Sequence, residues 1–230
     1  MNTQKVDTQK VDTQKVDAQK VAYSIADVSE LDEMSRLLGA AFSRRDPPAV
    51  ALGITAEEFE TLVRLFQSTV TEGLTPIARS ADTGRMLGAL LTEDWASPPP
   101  EGMDRLGPKF DPIFDLLGQL DHEYLQGKIW APNECLHLFL LGVDESSTGA
   151  GIAQGLVAEC LKNGARRGYR LAVTEATNPT SQHVFRKQGF IERVRRSYRD
   201  HRYGGEAFFA SIESYGGTIL MDRRLTDPSA

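Results

Sequence analysis

Residues 143–153 read Val-Asp-Glu-Ser-Ser-Thr-Gly-Ala-Gly-Ile-Ala, a run of small residues between an apolar stretch and an amphipathic one. Where a strand turns into a helix, the helix's first amides lack partners within the helix and carry the positive end of its dipole. Gly149, Ala150, Gly151 and Ala153 keep bulk away from those amides, so an anion such as a diphosphate can approach them. A tight strand-to-helix connection with no ligand would use the same residues. Two nucleotide-binding patterns are excluded. A P-loop needs a lysine after its last glycine, and Ile152 follows Gly151. A dinucleotide fingerprint needs a third glycine and a place in the first βαβ unit, whereas this turn stands in the third quarter of the chain.

A second chemical group lies just upstream. In residues 134–143, ECLHLFLLGV, strand alternation puts Cys135, His137, Phe139 and Leu141 on one face. An imidazole titrates near pH 6.5, at about the value a base working through water requires. His137 is equally at home as a hydrogen-bonded core residue. Glu93, Asp94 and Glu134 stand near strand ends and are further candidates for passing a proton. His183 and His201 lie among polar and basic residues and read as surface positions. Arg193, Arg195, Arg196, Arg199 and Arg202 read as a solvated strand face, with contact to an acidic ligand as the other option.

The elements that must position these groups alternate. Strands are expected at 21–25, 74–79, 86–95, 134–143, 170–176, 190–198 and 218–225. Ser29 is expected to cap a first helix carrying Leu31, Met34, Leu37, Leu38 and Ala41 at helical spacing, ended by Pro47-Pro48. Thr55 and Glu58 form a capping-box pattern before Phe59, Leu62, Val63 and Phe66. Further helices are expected at 111–125, 151–166 and 179–188, with a proline- and glycine-rich loop at 97–107. Strand–helix–strand alternation in the second half requires crossover connections, hence partly parallel pairing. The class is mixed α/β around one central sheet.

Composition bounds the rest. At 230 residues with 40% hydrophobic and 25% charged, the chain supports one sizeable core, as a soluble and cytoplasmic protein would have. The net charge of −6 argues against a dedicated nucleic-acid binder. No apolar run approaches the roughly 20 residues that span a bilayer, so no membrane association is expected. Two cysteines, Cys135 and Cys160, are too few for a disulfide framework or a cysteine zinc site, and no metal is expected. The opening TQKVD repeat (residues 3–17, degenerate to 22) has a period of five, which fits neither helix nor strand. Residues 1–20 are therefore expected to be a disordered or loosely ordered tail before a single domain at 21–230.

The turn at 148–153 resembles motif A of the GNAT acetyltransferases, written [RQ]-x-x-G-x-[GA], with Thr148 in place of the usual Arg or Gln. A second match lies downstream. The family's next helix commonly reads N-x-x-A-x-x-x-Y-x-x-x-G-F, and Asn178, Phe185 and Gly189-Phe190 stand in that register, Phe185 replacing the tyrosine. The resemblance implies the GNAT acyl-CoA N-acyltransferase fold, with about seven strands flanked by helices. It also implies acetyl-coenzyme A as cofactor. The backbone of Leu141, Gly142 and Val143 would pair with the pantetheine arm. The amides of Thr148, Gly149, Ala150, Gly151, Ile152 and Ala153 would take the diphosphate, and Asn178 and Phe185 would face the arm from the other side. Asn178 before Pro179 is also a good helix N-cap.

A narrower resemblance bears on catalysis. Ala176-Thr177-Asn178-Pro179-Thr180-Ser181 is similar to the A-T-x-x-x-S pattern of arylalkylamine (dopamine-type) N-acetyltransferases of insects, which puts Ser181 at the motif serine. Those enzymes carry D-E-P-L after the first helix, with the glutamate as base. Here the run is Asp46-Pro47-Pro48-Ala49, so a surviving carboxylate would be Asp46. His137 falls where vertebrate relatives carry a histidine. The implied activity is acetyl transfer from acetyl-CoA to the primary amine of a small molecule, an arylalkylamine being one option, by a monomer or homodimer. A peptide or protein N-terminal acetyltransferase and a non-catalytic acyl-CoA-binding module are the other readings. Residues 96–132, bounded by Trp95 and with Trp130 near their end, are expected to shape the acceptor pocket.

Overall fold

The computed structural model describes residues 20–225. The TQKVD repeat up to residue 19 lies outside the described residues. Seven strands form one sheet: β1 (Val21–Ile25), β2 (Pro76–Ser80), β3 (Met86–Asp94), β4 (Cys135–Val143), β5 (Leu171–Ala176), β6 (Ile191–Ser197) and β7 (Gly217–Arg224). Their order is β1-β2-β3-β4-β5-β7-β6. Every neighbouring pair is antiparallel except β4 with β5. That pair is joined by the crossover helix α6 (Ile152–Arg166), as parallel strands require.

The parallel pair is short. Cys135, Leu136 and His137 face Leu171, Ala172 and Val173, and no rung follows. The strands then part, and Thr174 Oγ1 donates to the Leu138 carbonyl at 2.9 Å near the fork. The remainder of β4, which stays paired with β3 on its other side, forms one lip of a groove.

Three groups of helices cover the sheet. On one face α6 and α7 (Pro179–Lys187) bury Ile152, Leu156, Val157, Cys160 and Phe185 against Leu87, Leu136 and Leu138. On the other face α1 (Leu31–Arg45), α2 (Pro47–Ala51), α3 (Ala56–Leu65) and α4 (Gln67–Thr71) enclose Met34, Leu38, Phe59 and Leu62. The helix α5 (Asp111–Leu125) closes the β5–β7–β6 end of that face through Leu116 and Leu120. The expected capping box at Thr55 and Glu58 is present, with bonds of 3.2 and 2.8 Å.

Four details depart from the sequence reading. Asp27, not Ser29, is the first cap: it opens a 3-10 turn that leads into α1. Pro47-Pro48 does not simply end a helix but begins α2, because prolines at the first positions need no amide partner. A bulge in β4 breaks the expected alternation: Leu91 faces Leu140 while Thr92 faces Leu138, so Phe139 is an extra residue. Beyond it Leu141 and Val143 turn to the α6 face, whereas Cys135, His137 and Phe139 stay on the face of α1 and α5. Gly142 then points at α1, where a Cβ would lie 2.6 Å from Leu38 Cδ2. Finally, His201 is buried and bonded to Asp115 at 2.9 Å rather than standing at the surface.

Candidate active site

The glycine turn sits at the mouth of the groove. Gly149 (φ +84°) and Gly151 (φ +78°) are both left-handed, which favours glycine, and a Cβ at either would meet nothing within 4 Å. The glycines are therefore set by backbone handedness, and the surface over them is open. Gly151 caps α6, whose opening amides have no carbonyl a turn behind them. Arginines gather here: Arg85 pairs with Asp144 at 3.0 Å, Arg44 reaches Glu145 at 3.5 Å, and Arg45 donates to Thr148 Oγ1 at 3.2 Å and to the Val143 carbonyl.

Across the groove, β5 hands over to α7 at Thr177 and Asn178. Asn178 Oδ1 accepts from the Ser181 amide at 2.9 Å, and Ser181 Oγ accepts from the Asn178 amide at 3.3 Å, a capping box with Pro179 in the first turn. The Ser181 hydroxyl also donates to the Asn178 carbonyl at 3.0 Å, so its proton is engaged within the cap. Phe185 is 2% exposed and packs edge-on against Phe190, with ring centres 5.1 Å apart. The ring, expected to face the cofactor arm, packs in the core under α6.

Asp46 meets this corner from the other side. It caps α2, with Oδ2 accepting from the Ala49 amide at 3.1 Å, and Oδ1 accepts from Thr177 Oγ1 at 2.5 Å. Thr177 is held in turn, its carbonyl taking the Tyr198 hydroxyl at 2.5 Å, and Thr218 Oγ1 donates to that hydroxyl at 3.0 Å. Among the described residues, the Asp46 side chain has no cationic partner. Burial pushes its carboxyl up to about 6, against the opposing bonds from Thr177 and Ala49. A cleft of about 510 Å³, lined in part by Arg45, Pro47, Val50, Asn178 and Tyr215, opens beside this corner.

His137 stands apart, at the last rung before the fork. Its Nδ1 meets Glu93 at 2.8 Å and its Nε2 meets Glu175 at 2.8 Å. Burial alone would lower its affinity for a proton, but the charges and bonds of Glu175 and Glu93 outweigh it and hold the imidazole well above the usual range. The imidazole expected from the sequence as a neutral base is instead held between two carboxylates that favour its protonated form. Asp121 completes the cluster, pushed up to about 8 by burial and by the Glu175 charge. Trp95 stacks beside His137, with ring centres 5.8 Å apart, and against Tyr124 and Trp130. These aromatics and Met103, on the 96–132 segment expected to shape a pocket, pack into the core clusters of that face.

Sequence reasoning gave no role to Thr177, Tyr198, Arg45, Glu175 or Asp121. Thr177 was visible only as a motif letter. The pairing of Asp46 with it spans 131 residues and follows from the fork in the sheet.

A seven-stranded mixed sheet forked at its parallel pair, with a glycine turn feeding α6, is the architecture of the GNAT acyltransferases. Residues 117–190 match the family model described as "Acetyltransferase (GNAT) family". The match covers about a third of the chain, and the fold around it is the one seen in such acetyltransferases. Among solved structures, the chain is similar to the C-terminal condensation domain of Ebony in complex with beta-alanyl-dopamine (16% identity, TM-score 0.82, covering 90% of this chain and 99% of that one). It is similar to arylalkylamine N-acetyltransferase 2 from Aedes aegypti (19%, TM-score 0.76, covering 90% and 99%). It is also similar to the Drosophila melanogaster polyamine N-acetyltransferase that forms N-acetylagmatine (19%, TM-score 0.73, covering 90% and 100%). Among the described residues, no helix is long and apolar enough to cross a membrane.

Proposed function

We propose that this chain transfers an acetyl group from acetyl-coenzyme A to the primary amine of a small molecule, an arylalkylamine fitting best. The observation that carries the reading is Asp46: a buried carboxylate with no counter-charge and an affinity for protons raised to about 6, at the corner where the groove's two sides meet. Such a group is ionised at neutral pH yet basic enough to accept a proton from an ammonium, directly or through a water.

The residues present fit a coenzyme A thioester. Two left-handed glycines leave the α6 amides uncovered, and the β4 edge past His137 has no β5 partner. The amides of Gly149, Gly151, Ile152 and Ala153 would hold the diphosphate, while those of Thr148 and Ala150 already donate to the Glu145 and Ser147 carbonyls at 3.3 and 3.4 Å. The backbone of Leu141, Gly142 and Val143 would hold the arm, with Asn178 opposite. When bound, the cofactor supplies an acyl group activated as a thioester. Asp46 deprotonates the acceptor, and Thr177 keeps the carboxylate in place. Ser181 is the hydroxyl that the motif offers to a leaving thiolate, and donating its proton there would require it to release the Asn178 carbonyl. His137, whose protonated form is favoured by Glu93 and Glu175, pairs with those two carboxylates and leaves the proton transfer to Asp46.

The test is release of free thiol from acetyl-CoA across arylalkylamines, polyamines, aminoglycosides and peptides. Arylalkylamines should give the highest kcat/KM, and Asp46→Asn should lower it about 100-fold, a barrier change of about 2.7 kcal/mol. Turnover of peptides alone, or tight coenzyme A binding with no thiol release from any amine, would overturn the reading.

A further inference from the structure

This inference rests on the acetyl-CoA reading above. In a chain of net charge −6, the turn before α6 is ringed by three guanidinium groups. Two are balanced on the spot: Arg85 by Asp144 at 3.0 Å, and Arg44 by Glu145 at 3.5 Å. Arg45 is held differently. Its Nη1 donates to the Thr148 hydroxyl and its Nη2 to the Val143 carbonyl, and both of these acceptors are neutral. Its charge is therefore not consumed by either bond. The Ser147 hydroxyl in the same turn is buried and has no partner among the described residues.

Thr148 stands where the resemblance leads one to expect Arg or Gln. The place is nonetheless occupied by a guanidinium, brought by the end of α1 from 103 residues upstream. A planar fork of donors suits two phosphate oxygens better than it suits one carbonyl and one hydroxyl. The Val143 carbonyl, for its part, belongs to the stretch of β4 assigned to the pantetheine arm. One movement of Arg45 would free that carbonyl and deliver a cation to the diphosphate.

We propose that Arg45 is the side chain with which this protein grips the diphosphate of a coenzyme A thioester, exchanging the Val143 carbonyl for phosphate oxygens as it does so. Arg44, already paired and well exposed, has no such part.

Calorimetric titration of the full chain with coenzyme A and with 3′-dephospho-coenzyme A tests this directly, without turnover. Arg45→Gln should weaken both ligands by about tenfold or more, the scale of a lost charge-assisted hydrogen bond. It should also make the affinity less dependent on salt. Arg45→Lys, which keeps the charge and loses the fork, should fall between Arg45→Gln and the parent. Arg44→Gln should change either affinity by less than about threefold, as expected for an exposed pair. Thermal unfolding of each variant establishes that it is folded. Affinities of Arg45→Gln within about twofold of the parent for both ligands would overturn the assignment. So would a loss confined to coenzyme A, which would place Arg45 on the 3′-phosphate instead. A parent chain that binds coenzyme A while Arg45→Gln binds equally well removes this inference alone. A parent chain silent towards coenzyme A removes the acetyl-CoA reading and this inference with it.

Discussion

Two buried acid clusters lie close to the fork in the sheet, and they are built on opposite principles. At the Asp46 corner one carboxylate is buried with neutral donors only, Thr177 and Ala49. In the His137 cluster Glu93, Glu175 and Asp121 surround an imidazolium. Burial pushes Asp46 to about 6 because nothing of opposite charge offsets it. Burial would raise Glu175 as well, but the His137 charge outweighs it and holds the carboxyl below its usual range. The difference separates a carboxylate set by burial among neutral donors, Asp46, from one whose charge is held by a neighbouring imidazole, Glu175. On the proposed reading, the histidine on the strand is a poorer candidate base than the aspartate beside two prolines.

The contrast can be broken in three places. The largest effect is expected from His137→Ala, which leaves Glu93 and Glu175 buried without their cation and should cost about 3–5 kcal/mol by urea unfolding. Glu175→Gln added to it should return part of that loss. A fall under about 1 kcal/mol would show that the cluster is solvated and the contrast unreal. Because its proton affinity is raised in the folded state, the stability contributed by His137 is fully present below its unfolded value of about 6.5. It is lost only as pH rises through the higher folded value, so it persists at neutral pH.

Asp46 should shift stability with pH in the same direction, as a penalty that grows with rising pH instead of a contribution that is lost. Its folded value of about 6 lies above the ordinary 3.8, so the folded chain binds the proton more tightly than the unfolded one. Burial of this carboxylate then costs nothing at acid pH and up to about 3 kcal/mol above pH 6, the cost growing between the two values. Asp46→Asn removes the titration. Relative to the parent it should gain up to about 3 kcal/mol of stability between pH 4 and pH 7, measured by denaturant titration at each pH. A difference independent of pH would mean that Asp46 is not held in this state.

The smallest effect concerns Thr177. Its hydroxyl bond favours the charged form of Asp46, so Thr177→Val should raise that carboxyl further. The acid limb of the kcat/KM profile should move to higher pH by up to about one unit, since the base must be ionised to act. An unmoved limb would sever Thr177 from the base.

The parts of the site held by neighbours in the chain were legible from the sequence. The turn at Gly149 and Gly151, the Asn178-Pro179 cap and the Thr55–Glu58 box each depend on residues within a few positions, and each is where the pattern put it. What escaped depends on partners from other elements. The charge of His137 is set by Glu93 on β3 and Glu175 on β5, and the setting of Asp46 by Thr177 at the end of β5. The bulge at Phe139 also left no mark, because a single extra residue in an apolar run looks the same on either face. Leu141 consequently points the other way from its expected side.

The three-rung joint between β4 and β5 has a mechanical consequence. It makes the sheet two antiparallel blades, β1–β4 and β5–β7–β6, stitched along a single short seam with α6 as the strap. Whatever threads between the blades with amide groups of its own supplies the missing stitches. On the proposed reading, a bound cofactor would stiffen the joint between the blades and its departure would loosen it.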